Sequence, residues 1–214
     1  MDERIESGMR IQLAGWRSAM GLADVERVGW KVGLNAPPVM EALEIDRPVI
    51  GWLGSGTTLA APAEVVTAGT TKIGAEPELA ITVGEGGNVA GLAPAIEIVD
   101  VDKSFDDLAA ILADNIFHRG VVFGPQSEPR ALPGITARIA CDGEPEAELE
   151  LADAVGDPAE VVALVAGRLE EMGEVLEPGD RIIAGALTPI LFAERVSAVA
   201  LDMGPLGAVA LRFR

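Results

Sequence analysis

A chain of 214 residues, 49% of them hydrophobic, is long enough to form one compact domain with a sizeable core. Its net charge of −18, with no basic run, excludes a nucleic-acid partner, because phosphate binding needs Lys and Arg to displace counterions. A single cysteine, Cys141, excludes an intrachain disulfide and a cysteine-built metal cluster. No apolar stretch approaches the ~20 residues of a membrane helix, and the charged start MDERIESGMRIQLAG lacks a signal-peptide core, so a cytosolic protein is expected.

Apolar residues at helical spacing (Ile5, Met9, Ile11, Leu13, Trp16, Met20) predict one or two helices over 3–22. VERVGWKVG (25–33) reads as a strand, and Pro37 and Pro38 favour a short helix start ahead of VMEALEI. From Val49 to Val83, short apolar runs broken by Gly, Pro and Thr predict several short strands. GEGGNVAG (84–91) is a loop and 93–102 another strand. Ser104, with Asp107 three residues on, caps a predicted helix whose stripe is Leu108, Ile111, Leu112 and Ile116, and which Gly120 ends. VVFG follows as a strand. Residues 134–151 predict a hairpin around CDGEPE. Asp157 as N-cap, Pro158 at the first helical position and Glu160 open the clearest helix, running to about Gly173. A turn at 177–180, a strand and a closing hairpin complete the chain. The strand-rich middle predicts an α+β domain rather than alternating βαβ units. Residues 1–24 are expected as a helical segment packed on a catalytic unit of 25–214.

Glu76 and Glu78 share one face of a strand with Ala80 and Thr82, while Pro77, Leu79, Ile81 and Val83 share the other. Adjacent carboxylates repel unless solvated, protonated or bridged by a cation. From the residues alone, the solvated outer face of an edge strand, where proline is tolerated, is the plainer reading. Glu97 stands among Ile96, Ile98 and Val99; a buried carboxylate is costly unless paired or metal-bound, and a half-exposed strand explains it equally well. Three carboxylates without His or Cys would suit Mg²⁺ or Mn²⁺ rather than zinc. Lys31 lies between glycines 29 and 33, which would let a ligand approach the backbone closely; a surface lysine is the plainer alternative. His118, the sole histidine, is either an acid–base group near neutral pH or a cation complementing a helix C-terminus.

GWKVGL (29–34), the Glu76-Pro77-Glu78 motif, PAIEIVD (94–100), ADN (113–115), LEPGDRIIAGALT (176–188) and the GPLGAVALRF ending resemble, in order, the motifs of the 2-keto-4-pentenoate hydratase family. That family includes 2-oxo-3-hexenedioate decarboxylases and belongs to the fumarylacetoacetate hydrolase superfamily. The resemblance implies a mixed β-roll with peripheral helices and a homo-oligomer. It implies metal binding by Glu76, Glu78 and Glu97, and Lys31 as a proton shuttle or carboxylate partner. Gly33, Leu34, Asp114, Asn115 and Thr188 would lie near a small keto or enol carboxylate. The implied activity is hydration of a 2-hydroxy-2,4-dienoate or 2-keto-4-enoate through a metal-chelated enolate, with decarboxylation of a 2-oxo acid as the alternative. The sequence departs from the family pattern in three places. Only 18 residues separate Glu78 from Glu97; Gly54-Ser55-Gly56 replaces a segment that often carries an acid; and Ile116-Phe117-His118 follows ADN where a small hydroxyl residue is common. These departures keep open a repurposed member catalysing isomerisation, dehydration or cyclisation, and a non-catalytic metal- or ligand-binding protein. No histidine precedes residue 118, which disfavours the superfamily's hydrolytic chemistry.

Overall fold

The computed structural model describes residues 2–214. Helix α1 (Glu3–Met20) is capped by Asp2, whose carboxylate accepts the Arg4 backbone N–H at 2.8 Å. Strand β1 (Arg27–Gly33) leads into α2 (Pro37–Leu43), started by its two prolines. Three short strands follow, β2 (Val49–Gly54), β3 (Thr58–Leu59) and β4 (Ala63–Val65). Then come two long ones, β5 (Ile73–Val83) and β6 (Val89–Asp100). Helix α3 (Leu108–Ala113) precedes β7 (His118–Phe123), and β8 (Thr136–Cys141) pairs with β9 (Glu144–Glu150) across the Asp142-Gly143 turn. Helices α4 (Leu151–Val155) and α5 (Pro158–Glu171) are followed by β10 (Arg181–Ala186), β11 (Leu191–Phe192), β12 (Ala198–Asp202) and β13 (Ala208–Phe213).

Two sheets result, giving the α+β architecture. An eight-stranded mixed sheet runs β2-β1-β10-β5-β6-β7-β3, with β11 also on β5, and curls into a half-barrel. A five-stranded sheet runs β4-β13-β12-β8-β9. Between them and the helices lies the main core. Leu79, Ile81 and Val83 of β5 enter it beside Val162, Val165 and Leu169 of α5 and Val199, Leu201 and Leu211 of the second sheet. Each fully buried Leu or Ile contributes roughly 1.5–3 kcal/mol. The other face of the large sheet carries a smaller apolar cluster of Leu53, Ala80, Ala93, Ala95, Val121, Phe123 and Ile183. Among the described residues no helix is long and apolar enough to cross a membrane.

Two local expectations are corrected. The region 49–83 is not all short strands, since β5 has 11 residues, and the loop before β6 is confined to Gly84–Asn88 because the chain pairs again from Val89. The helix expected from Ser104 to Gly120 is only Leu108–Ala113, capped by the Asp107 carboxylate on the Ala110 N–H at 3.0 Å. It stops because Asn115, Ile116 and Phe117 all take left-handed backbone (φ 54°, 54° and 62°), and His118 already belongs to β7.

Helix α5 starts where the sequence places it: Asp157 accepts the Ala159 N–H at 2.9 Å, with Pro158 next. Asp157→Ala is expected to destabilise the protein by about 1 kcal/mol, visible as a lowered thermal midpoint. An unchanged midpoint would show that α5 is held by packing alone.

Candidate active site

The long hairpin brings the three carboxylates together. In the β5–β6 register Glu76 stands directly opposite Glu97, and residues paired across an antiparallel ladder project to the same face. Glu78 joins them by strand alternation. One side-chain oxygen from each of Glu76, Glu78 and Glu97 lies within 4.8 Å of the others. β5 is a central strand, not an edge. Pro77 is accommodated there because its backbone faces the gap between β10, whose last pair is Ala186 with Glu78, and β11, whose first is Leu191 with Ala75; its carbonyl accepts the Leu187 N–H at 2.9 Å and no ladder donor is required.

Lys31 arrives from β1, two strands away through β10. Its side chain is 1% exposed; its ammonium donates to Glu97 Oε1 and, at 3.1 Å, to the Ile116 carbonyl. The room for it comes from Gly51, its partner on β2: a Cβ there would stand 2.8 Å from Lys31 Cγ and 2.6 Å from Asn115 Oδ1. On the far side of Glu97, His118 Nδ1 approaches the same Oε1 at 2.8 Å, and His118 Nε2 lies 3.0 Å from Thr57 Oγ1. Both bonds fall on Oε1, so Glu97 Oε2 has no partner among the described residues. Glu78 Oε2 accepts the Gly185 N–H at 2.7 Å, leaving Oε1.

Charge state follows from these contacts. Burial alone would raise the Glu97 carboxyl, but the Lys31 charge and the His118 hydrogen bond outweigh it and hold Glu97 below its ordinary value. Burial, then the charges of Glu97 and Glu76, push Glu78 well above the ordinary carboxylate range. Burial and the neighbouring Glu97 push Glu76 to about 7. Burial also lowers His118, which is therefore neutral. A neutral imidazole that donates from Nδ1 to a carboxylate accepts at Nε2, here from the Thr57 hydroxyl.

Three ionised carboxylates against one ammonium leave two negative charges in a buried space, which a divalent cation neutralises. The donors are all oxygens, as Mg²⁺ and Mn²⁺ prefer, and the geometry lets them share one ion. The residues therefore fit such a metal. Metal binding requires the raised carboxyls to be ionised. In the metal-free protein the folded state favours protonated Glu76 and Glu78, so stability falls as pH rises from the ordinary carboxylate range through about 7. Saturating Mg²⁺ is accordingly expected to raise the thermal midpoint more at pH 8 than at pH 5.5. Equal shifts would mean that the ion binds elsewhere.

The carboxylates open onto a cavity of 460 Å³, lined also by Lys31, Gly33, Leu34, Phe117 and Thr188. Asp114 and Asn115, which the resemblance places near substrate, do not line it. Asp114 pairs with Lys103 and Arg119, both at 2.8 Å. Asn115 clamps the backbone of Trp52, accepting its N–H and donating to its carbonyl, both at 2.8 Å. His118 likewise sits behind Glu97 rather than in the wall. A more open hollow of 790 Å³ on the second sheet is lined by small residues such as Ala140, Ala200 and Ala210. Among the described residues, the one cluster of three metal-capable side chains lies in the smaller cavity. Thr57, Gly51 and Asn35 were not singled out from the sequence. An interior strand glycine at 51 was the available signal, since it marks close approach of another group.

This architecture, a curled mixed half-barrel with a second sheet and peripheral helices, is the fold of the fumarylacetoacetate hydrolase superfamily. The 4-oxalocrotonate decarboxylase from Pseudomonas putida G7, complexed with magnesium and adipate, superposes with a TM-score of 0.84 at 21% identity, over 97% of this chain and 85% of that one. No family model matches the chain. In sequence it is 28% identical over 208 residues to a 2-keto-4-pentenoate hydratase of Burkholderia vietnamiensis, covering 87% of this chain and 78% of that protein. It is also 28% identical over 199 residues to a 4-oxalocrotonate decarboxylase of a Pseudomonas species, covering 86% and 77%. In sequence and in fold the chain is thus similar to 2-keto-4-pentenoate hydratases and 4-oxalocrotonate decarboxylases.

Proposed function

We propose that the protein is a divalent-metal-dependent hydratase acting on a 2-keto-4-enoate or its 2-hydroxy-2,4-dienoate tautomer. The observation that carries this reading is the convergence of Glu76, Glu78 and Glu97 with Lys31 at one end of an otherwise apolar cavity. Mg²⁺ or Mn²⁺ held by the three glutamates would supply a Lewis acid for the carboxylate and 2-oxo oxygen of the substrate.

The chain's own groups do the rest. Lys31 has three N–H donors and spends two, on Glu97 and the Ile116 carbonyl, so one remains for the substrate carboxylate or enol oxygen. Glu97 holds the Lys31 side chain in place by an ion pair, and the Thr57–His118 pair fixes the rotation of Glu97. Glu76 and Glu78, whose carboxyls burial raises, would give up their protons when the metal binds. Moving the enol proton of the dienoate to C5 gives the conjugated 2-oxo-3-enoate, whose C4 is electrophilic; addition of water then places its hydroxyl on C4 and its proton on C3. Gly33, Leu34 and Thr188 shape the path to this end of the cavity. Decarboxylation of a 2-oxo acid is the second reading, favoured by equal 28% identity to a decarboxylase.

Calorimetry of Mg²⁺ and Mn²⁺, with and without oxalate, on the wild type and on Glu76→Gln tests the proposal. Metal-dependent oxalate binding that the substitution removes supports a keto-acid enzyme. Absence of both metal and oxalate binding in the wild type sinks it.

A further inference from the structure

From the cavity wall we infer that the substrate carries an uncharged, apolar tail, so that its only carboxylate is the one next to the 2-oxo group; this rests on the keto-acid reading above. Beyond the glutamates the cavity is walled by Leu34, Val39, Phe105, Phe117, Leu187 and Ile190, with Asn35 and Thr188 as neutral polar groups. Lys31 is the one cation in that wall among the described residues; two of its donors go to Glu97 and the Ile116 carbonyl, and the third is assigned to the keto-acid head group, which leaves none for a tail carboxylate. The cations nearest in sequence to the wall residues Phe105 and Phe117 are paired as well. Lys103, two residues before Phe105, and Arg119, two after Phe117, each pair with Asp102 and Asp114.

A second carboxylate would therefore lie in a mostly hydrocarbon wall, in a protein whose overall charge is −18, with no uncommitted cation among the described wall residues to offset its lost hydration. An alkyl or aryl tail meets no such obstacle. The cavity's 460 Å³ falls within the range of roughly 300–1,000 Å³ that encloses drug-sized ligands, and so leaves room beyond a keto-acid head. The apolar wall is also held at some expense. Ile116 and Phe117 reach it from three consecutive left-handed residues, a conformation that β-branched and bulky side chains rarely adopt. That backbone is secured by the Asn115 clamp on Trp52 and by the Asp100 N–H on the Phe117 carbonyl at 2.9 Å.

The consequence bears on the reaction. A decarboxylation that keeps the 2-oxo carboxylate must expel CO₂ from a second one, which this wall does not accommodate. Hydration requires only the head group and the alkene.

The test is a matched pair. 2-Oxohexanoate and 2-oxoadipate differ only in a terminal methyl against a carboxylate. Their affinities for the Mn²⁺-loaded protein are measured by calorimetry beside oxalate, which reports the head-group site alone. The expected result is at least tenfold tighter binding of 2-oxohexanoate than of 2-oxoadipate. 2-Oxooctanoate should be tighter again, by roughly three- to fourfold for each added methylene that is buried. Leu187→Arg, at a half-buried wall position, should shift the preference toward 2-oxoadipate while oxalate affinity holds. If oxalate binds and 2-oxoadipate equals or exceeds 2-oxohexanoate, the apolar-tail inference is overturned and the keto-acid reading survives. If oxalate itself fails to bind with metal, both fall.

Discussion

Glu97→Gln is expected to abolish metal-dependent oxalate binding. The loss in Mg²⁺ or Mn²⁺ affinity should exceed the roughly 10–100-fold typical of losing a supporting partner, because Glu97 is itself one of the three oxygen donors. The substitution keeps shape and an acceptor for Lys31 but removes a charge. It also removes a main source of the raised Glu76 and Glu78 carboxyls, which then ionise more readily and face Lys31 in its place. The metal-free variant should therefore stay folded, with a modest fall in thermal midpoint, so lost binding will not be an unfolding artefact. Calorimetry with Mn²⁺ and oxalate, beside a metal-free melting curve, checks both halves. Unchanged metal affinity would mean that Glu97 only anchors Lys31 and that the ion, if any, rests on other donors.

What the sequence could and could not display divides along contact range. The shared face of Glu76 and Glu78 follows from strand alternation alone, and Asp157-Pro158 announces its own helix. The fold class, too, was readable from the order of short motifs. Pro77 misled because a proline in a strand signals an edge. Its missing N–H is harmless only because β10, over a hundred residues later, ends just before reaching it and β11 pairs with β5 only from Ala75. The segment after Ala113 misled for a similar reason. Leu108, Ile111, Leu112 and Ile116 keep helical spacing, but Asn115 finds its partners on Trp52, 63 positions away, and turns the chain left-handed. Once that turn is made, His118 is carried from an imagined helix end to the back of Glu97, where it meets Thr57. Thr57 follows directly on Gly54-Ser55-Gly56, so one hydrogen bond links the neighbourhoods of two departures from the motif pattern the sequence resembles. No local pattern shows that. Gln12 is comparable: its amide donates to the Leu112 carbonyl at 2.9 Å, tying α1 to the end of α3 and so to the strained turn.

Lys31→Met should be the more damaging change to the fold itself. Breaking a buried ion pair by removing one partner costs roughly 3–5 kcal/mol, because the other charge is left uncompensated. In a protein of this size that lowers the thermal midpoint by about 6–20 °C. Here the abandoned charge is that of Glu97, which keeps only the neutral His118 as a partner, and at higher pH the ionising Glu76 and Glu78 add to it. The sign of the pH dependence follows. Without the ammonium Glu76 and Glu78 rise further above their unfolded values and Glu97 loses the charge that held it down, so the variant loses stability as pH climbs through the neutral range. Its deficit against wild type should be larger at pH 8 than at pH 5, and saturating Mg²⁺ should recover part of it by supplying the missing positive charge. Adding Glu97→Gln to Lys31→Met should restore stability relative to Lys31→Met alone, since the pair is then replaced by two neutral side chains. That non-additivity, read from denaturant or thermal melts of the four proteins in the cycle, measures the coupling directly. If the two changes simply add, Lys31 and Glu97 are neighbours without being partners, and the charge balance that makes this a divalent-metal site has been misassigned.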